Sequence, residues 1–159
     1  MESGIEGASP AEDRGLQGLR VLGIDMGERR IGLAMSDPSG IIASPYATWE
    51  GRDRDGLPGR IRHLVQEKQI GTVVIGLPNR TDGKFSEKAA EFRAFAEELR
   101  GKLDIPVEMI DESYTTVMAH EAMKEAGMKE KKRRQKVDEI AAVIILQSWL
   151  DTRKRPFMP

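Results

Sequence analysis

Three acidic residues lie at the ends of three different predicted elements. They are Asp25 in VLGIDMGERRIG, Glu112 in VEMIDESYTT and Asp138 in KVDEIAAVIILQSWL. Asp25 interrupts an apolar strand, where an unpaired carboxylate is costly to bury. A divalent-metal phosphodiesterase needs such carboxylates, because the metals neutralise their charge and activate water. The acids therefore predict a catalytic site in which Asp25 bridges two Mg²⁺ or Mn²⁺ ions roughly 4 Å apart.

Each acid also has an ordinary structural alternative. Asp25 could be a turn residue that accepts hydrogen bonds from nearby backbone, or the phosphate-handling Asp of actin-like ATPases, which need two such domains. Glu112 and Asp138 could each supply favourable negative charge in the first turn of a helix. Asp111 and Glu112 should point to opposite faces of their strand, so only one of them is expected to reach the site. Metal ligation is favoured because the three acids occur together.

A strongly basic run directly precedes Asp138. Lys129–Lys136 (KEKKRRQK) holds six basic residues and one acid, although the whole chain has a formal net charge of -1. The run could be a solvated loop, or a clamp on a phosphate backbone. Its position favours the clamp, and the residues predicted to bind nucleic acid are Lys131, Lys132, Arg133, Arg134 and Lys136.

A polar loop, GLPNRTDG at residues 76–83, follows a predicted buried strand. Its backbone N–H groups could contact phosphates, or the loop could simply join a strand to a helix. The residues alone leave the two interpretations about even. The loop lacks the pattern of a nucleotide P-loop, so it gives no support for ATP hydrolysis.

The elements that must position these residues follow from the hydrophobic pattern. Strands are predicted at Arg20–Met26, Ile31–Ser36, Ile41–Trp49, Thr72–Leu77 and Val107–Ile110. Helices are predicted at Leu57–Gln69, Phe85–Arg100, Tyr114–Ala126 and Val137–Asp151. Right-handed crossovers should bring the ends of the first, fourth and fifth strands to one rim. The order predicts an α/β, ribonuclease H-like fold: a five-stranded mixed sheet, three antiparallel strands then two parallel strands, flanked by helices.

Length and composition set the remaining expectations. The 159 residues predict one domain over residues 19–151, with a disordered tail at 1–18 and a C-terminal tail at 152–159. The chain has no cysteine, which excludes disulfides, thiolate catalysis and Cys-ligated zinc. It has neither a signal peptide nor an apolar run long enough for a membrane helix. A cytoplasmic protein that does not associate with membranes is therefore expected.

Four segments together resemble the YqgF (RuvX) family of bacterial ribonuclease H-like proteins. They are GIDMGERRIGLAMSD at 23–37, GLPNRTDG at 76–83, DESYTT at 111–116 and KKRRQKVDEIAAVIILQSWLD at 131–151. The resemblance implies that Asp25, Glu112 and Asp138 are acidic metal-binding positions. It also implies nucleic-acid contacts from the following residues: Arg30, Asn79, Asp82, Gly83, Thr115 and Thr116. Ser113 departs from the pattern, because the family usually has arginine there.

These observations predict a hydrolase: a two-metal-ion endonuclease acting on structured nucleic acid and leaving 5′-phosphate and 3′-hydroxyl ends. The resemblance implies maturation of the 5′ end of pre-16S rRNA in ribosome biogenesis. The alternatives are Holliday-junction resolution in DNA recombination and repair, and a nucleic-acid-binding module without catalysis. The residues leave open RNA or DNA, Mg²⁺ or Mn²⁺, and monomer or homodimer, although paired cuts in a junction would require two-fold symmetry.

Overall fold

The computed structural model describes residues 19–27, 29–50, 55–77, 83–111, 124–125, 127 and 129–153. Within these residues five strands form one mixed sheet in the order β3-β2-β1-β4-β5. The strands are β1 (Arg20–Met26), β2 (Arg30–Ser36), β3 (Ala43–Glu50), β4 (Ile70–Leu77) and β5 (Val107–Asp111). β1, β2 and β3 pair antiparallel, whereas β1, β4 and β5 pair parallel. The predicted strand arrangement is confirmed.

In the part of the chain that the structure describes, three long helices cover the two faces of this sheet. They are α1 (Leu57–Lys68), α2 (Gly83–Lys102) and α3 (Glu130–Arg153). α1 and α2 pack on one face through a large apolar cluster that includes Leu22 and Ile24 of β1. α3 packs on the other face through a second cluster that includes Val21 of β1. The alternation of side chains along β1 therefore divides its residues between the two layers.

The β2–β3 hairpin is closed by the side chain of Asp37. Its Oδ1 accepts hydrogen bonds from the backbone N–H groups of Ile41 and Ile42, both at 2.8 Å, and its Oδ2 accepts one from Ser39 at 3.0 Å. Gly40 adopts a φ of 73°, which favours glycine. These N–H groups, above all that of Ile42, hold the pKa of Asp37 far below its usual range. The turn predicted at this position is confirmed.

β3 lies at the edge of the sheet and carries a bulge. Its register against β2 shifts between Leu33 and Ala34, so that Pro45 pairs with Ala34 while Ala47 pairs with Leu33. Proline in a strand is tolerated at an edge or a bulge because it donates no ladder hydrogen bond. Tyr46 is left between the two pairs. The prediction that Pro45 marks an edge or a bulge is confirmed.

Several element boundaries differ from the predicted ones, most of them by one or two residues. β3 begins at Ala43 rather than Ile41, because Ile41 and Ile42 are held by Asp37 in the turn. α2 begins at Gly83 and ends at Lys102, beyond both predicted ends. The largest difference is in α3, which begins at Glu130 and ends at Arg153. The charge of the basic run favours a loop there, but Lys, Arg, Gln and Glu are good helix formers.

The predicted helix Tyr114–Ala126 lies outside the described residues, except for residues 124 and 125, which are helical. The predicted tail at 1–18 also lies outside them. The C-terminal tail was predicted at 152–159, but residues 152 and 153 belong to α3, and only 154–159 lie outside the described residues. Among the helices described, none combines the length and the apolar character needed to cross a bilayer.

Candidate active site

Asp25 occupies the penultimate position of β1, and its side chain belongs to the face covered by α3. It is only 7% exposed. Gly23, two residues earlier, lies so close to α3 that a Cβ built on it would be 2.8 Å from Cβ of Leu146. Side chains two residues apart on a strand share a face. Asp25 therefore points toward α3, at the carboxyl end of a parallel strand where sites of open α/β sheets form.

Glycines flank Asp25 on both neighbouring strands. Asp25 pairs with Gly32 of β2 in the antiparallel register and with Gly76 of β4 in the parallel register. Neither neighbour carries a side chain that could fill the space beside the carboxylate. Gly32 and Gly76 therefore allow another group to approach the α3-facing surface of the sheet closely on either side of Asp25.

On the Gly32 side this approach is made by α3, which places Asp138 directly over Gly32. A Cβ built on Gly32 would lie 2.0 Å from the backbone oxygen of Asp138 and 3.0 Å from its Cβ. Such distances mean that the helix backbone rests on the glycine, which only a residue without a Cβ permits. Because Gly32 is the direct cross-strand partner of Asp25, the structure brings Asp25 and Asp138 to adjacent positions.

Asp138 forms an ion pair with Arg30, the first residue of β2. Nε of Arg30 donates a hydrogen bond of 3.1 Å to Oδ2 of Asp138, and the two side chains are 48% and 18% exposed. Burial raises the pKa of Asp138 above its usual value, an effect that Arg30 partly opposes and Glu139 reinforces. The carboxylate of Asp138 is thus held in a place where its negative charge is disfavoured and a cation is favoured.

The side chain of Glu139, the next residue of α3, contacts the edge strand β3. Its Oε2 accepts a hydrogen bond of 3.0 Å from Oγ1 of Thr48 in the edge strand. Thr48 pairs with Gly32, so the same row of the sheet runs from Asp25 through Gly32 to Thr48. Glu139 therefore helps to fix α3 over the sheet.

The predicted site residues divide into three groups. Asp25, Asp138 and Arg30 come together as described. Lys131–Lys136 lie in the first turns of α3, next to Asp138 in the chain, and Gly83 is the first residue of α2. The remainder lie outside the described residues: Asn79, Asp82, Glu112, Thr115 and Thr116. Within the described part of the chain, no group of three or more acidic or histidine side chains converges to hold a metal.

Two residues of the site, Gly32 and Gly76, were not singled out from the sequence. Each interrupts an otherwise apolar strand, and glycine inside a strand often marks a close approach of backbone or ligand. That signal was present in IGLAMS and TVVIGL. Its meaning depends on the register that sets both glycines beside Asp25, which no local pattern contains.

The fold matches solved Holliday-junction resolvases. RuvC from T. thermophilus, in complex with a Holliday-junction substrate, matches with a TM-score of 0.56 and 15% identity, over 86% of this chain and 96% of that one. The fowlpox virus resolvase, in complex with Holliday-junction DNA, matches with a TM-score of 0.53 and 10% identity, over 85% and 99%. The chain is thus an α/β protein of the ribonuclease H-like fold.

Within that fold class the chain belongs to the RuvX family, whose description is "Holliday junction resolvase" and whose pattern matches residues 19–152. A relative from Maridesulfovibrio salexigens is 38% identical over 132 residues, covering 83% of this chain and 98% of the relative. A relative from Rhodococcus opacus is 44% identical over 142 residues, covering 86% and 79%. Both relatives carry the name "Putative pre-16S rRNA nuclease".

Proposed function

We propose that the chain is a divalent-metal-dependent endonuclease that cuts phosphodiester bonds of structured nucleic acid, with the 5′ end of pre-16S rRNA as its substrate. The observation that carries the proposal is the buried carboxylate of Asp25, set between two glycines and beneath Asp138. Buried acids at adjacent positions repel each other, and a bound cation relieves that repulsion.

The residues present fit a hard divalent ion. Carboxylate oxygens are the ligands that Mg²⁺ and Mn²⁺ prefer. Burial raises the pKa of Asp138 despite the ion pair with Arg30, so a further cation beside this carboxylate would be favourable. Asp25 and Asp138 would hold the metal, with Glu112 as the third acid.

The metal, when bound, supplies Lewis-acid activation of water and neutralises charge on the phosphate. The chain supplies the geometry. Gly76, the partner of Asp25 on β4, carries no side chain that would hinder the approach of a phosphate group to Asp25. Arg30, half exposed at the edge of the site, is positioned to exchange part of its contact with Asp138 for a phosphate oxygen, since guanidinium binds both groups well. The basic first turns of α3 would attract the backbone on either side of the cut.

The names of the relatives support pre-16S rRNA as the substrate. Resolution of Holliday junctions is the second candidate, supported by the family description and by the resolvases that share the fold. The two candidate functions require different oligomeric states. A resolvase that makes paired cuts should act as a two-fold dimer, whereas trimming of an RNA end requires one active site.

Cleavage of two labelled substrates tests the proposal: a 5′-extended 16S rRNA precursor and a four-way DNA junction, each with Mg²⁺, Mn²⁺ or chelator. We expect metal-dependent cutting of the precursor that is lost in Asp25→Asn and kept in Asp104→Asn, an exposed acid before β5. Preferential cutting of the junction would favour the second candidate. Binding without cutting in either metal would refute the catalytic proposal and leave a nucleic-acid-binding module.

Metal binding itself can be followed without substrate. A ligand that binds only the folded state raises the melting temperature as its occupancy increases. Mg²⁺ or Mn²⁺ should therefore raise the melting temperature of the native protein and of Asp104→Asn. The same ions should have little effect on Asp25→Asn. An equal rise in all three proteins would place the bound ions away from Asp25.

A further inference from the structure

We propose that the groove between α1 and the edge strand β3 binds an unpaired segment of the nucleic-acid substrate. This α1–β3 groove consists of two cavities of about 500 and 580 Å³ that share Tyr46 as a common wall. The groove is defined by Trp49, Arg60 and His63 at one end and by Arg20 and Lys68 at the other. The inference rests on the proposed function, since it takes nucleic acid to be the ligand.

Arg60 and Trp49 form a stacking platform at the first end. The guanidinium carbon of Arg60 lies over the Trp49 ring, 4.1 Å from its centroid. Trp49 is half-buried and packs against the core, whereas Arg60 is exposed. The inner side of the guanidinium is thus occupied by the indole, and its outer side is open to the groove. Unpaired bases stack on such guanidinium planes and on aromatic rings.

Tyr46 adds a second aromatic surface midway along the groove. It is the bulged residue of β3, left between the Ala34–Pro45 and Leu33–Ala47 pairs. Bulges redirect a side chain relative to the regular strand. Tyr46 is 40% exposed and lines both cavities, although an aromatic ring gains free energy from burial. Its exposed ring is consistent with stacking against a ligand.

The charges of the groove favour a polyanion. Arg60, Arg20 and Lys68 are cationic, and the acids that line the groove are Asp37 and Glu67. The carboxylate of Asp37 is already engaged by three backbone N–H groups of the turn. α1, with 12 residues, is about 18 Å long. That length suits a short run of stacked nucleotides at roughly 3.4 Å each.

The groove opens at the end of the sheet that holds the acidic residues. Trp49 pairs with Ile31, the neighbour of Gly32, and Gly32 pairs with Asp25. β1 and β3 are separated by two strand spacings, about 10 Å. A strand with one phosphate at Asp25 could therefore pass over the edge of β3 and enter the groove on the other face. Such a path would select substrates in which unpaired nucleotides adjoin the cut.

Binding of two hairpin RNAs tests this proposal, one with a short single-stranded flank and one without. Arg60→Ala should weaken binding of the flanked RNA about tenfold, as expected for the loss of one stacked base, and should leave the flush RNA unchanged. Arg62→Ala is the matched control, because it removes the same charge from an exposed position of α1 that does not line the groove. It should affect both RNAs equally.

Gly59→Leu provides a second variant that leaves the platform intact. A Cβ at Gly59 meets nothing within 4 Å, so leucine should fit without disturbing the fold while filling the groove. It should also weaken binding of the flanked RNA alone. The native protein should quench a fluorescent base analogue placed in the flank, and Arg60→Ala should quench it less.

The outcomes separate the two proposals. If the native protein cuts the precursor but Arg60→Ala and Gly59→Leu treat both RNAs alike, the groove proposal fails and the nuclease stands. If the native protein binds neither RNA, both fail. If the variants change the oligomeric state in sedimentation and not the preference for the flank, the groove is a contact between copies of this chain, and the proposal is overturned.

Discussion

The carboxylate of Asp138 is ionised at an electrostatic cost that depends on its burial and on its charged neighbours. Burial opposes its ionisation, Arg30 favours it, and Glu139 opposes it, with burial the largest effect on its pKa. A raised pKa caused by burial beside a second acid is typical of functional sites, although ion-pair networks can also produce one. The pH dependence of folding should therefore reveal this residue before any activity is measured.

Asp138→Asn should remove that cost. Because the pKa of Asp138 is raised above 3.8, the folded protein holds the proton more tightly than the unfolded chain does. The contribution of this carboxyl to stability therefore falls as the pH rises from about 3.8 through the raised value. In urea unfolding with chelator present, Asp138→Asn should be at least as stable as the native protein at pH 7. Its free energy of unfolding should also decline less than that of the native protein as the pH rises toward 7. Asp104→Asn should follow the native curve, and a less stable Asp138→Asn at pH 7 would contradict this account.

Asp37→Asn should change the pH dependence of stability in the opposite direction. The backbone N–H groups of the turn lower the pKa of Asp37, so its contribution to stability is complete above about 3.8 and is lost as the pH falls below that value. The amide of asparagine cannot accept at both of its terminal atoms. We expect the variant to lose about 1 kcal/mol at neutral pH and to show a flatter acid limb. If the free energy of unfolding fell equally steeply below pH 4 in the variant and in the native protein, the role assigned to Asp37 would be refuted.

At the scale of elements, the approach of α3 to the sheet depends on glycine. Gly32→Ala should force the α3 backbone at Asp138 away from β2, because the new Cβ would lie 2.0 Å from a backbone oxygen that cannot rotate aside. Overpacking of this kind costs about 1–3 kcal/mol, measurable by urea unfolding. The displaced Asp138 should also weaken the rise in melting temperature caused by Mg²⁺ or Mn²⁺.

Gly101→Ala is the control for that prediction. Gly101 lies in α2, and a Cβ there meets nothing within 4 Å. The same chemical change should therefore stabilise the protein by about 0.5–1 kcal/mol, since alanine is the better helix former. If both variants destabilised equally, the effect at Gly32 would not come from contact with α3.

The sequence was sufficient to predict the strands and helices, but not the registers in which the strands pair. Continuous apolar runs identified β1 and β4, and Asp25 stood out because it breaks one of them. The closeness of Asp25 to Asp138 arises from the pairing of Asp25 with Gly32 and the contact of Gly32 with α3. These contacts join residues that are far apart in the sequence, so no local sequence pattern predicts them. The ion pair of Arg30 with Asp138 could not be predicted for the same reason, since the sequence motif indicates only a phosphate contact for Arg30.

At the scale of the whole molecule, charge is unevenly distributed: the formal net charge is -1, yet six basic residues lie within Lys129–Lys136. If these residues bind phosphates, each releases counterions on binding, which sets the salt dependence of affinity. Replacing Lys131, Lys132, Arg133 and Arg134 with glutamine should reduce the slope of log affinity against log salt by about one unit for each phosphate that is no longer neutralised. Fluorescence anisotropy over a salt series measures it.

Arg93→Gln combined with Lys102→Gln is the control, because these exposed residues of α2 lie outside the basic run. This pair should leave the slope nearly unchanged. An identical slope for the fourfold variant and the native protein would mean that the basic run does not touch the ligand.

The start of α3 at Glu130 has a further consequence for these cations. The N-terminal end of a helix carries partial positive charge, and five cationic residues follow Glu130 within its first turns. Mutual repulsion should make these turns the most easily frayed part of α3. A bound phosphate backbone would reverse the sign of that interaction, so helical order and ligand binding would reinforce one another. Amide hydrogen exchange at residues 131–136 should accordingly slow on addition of RNA, while exchange in the apolar second half of α3 stays the same.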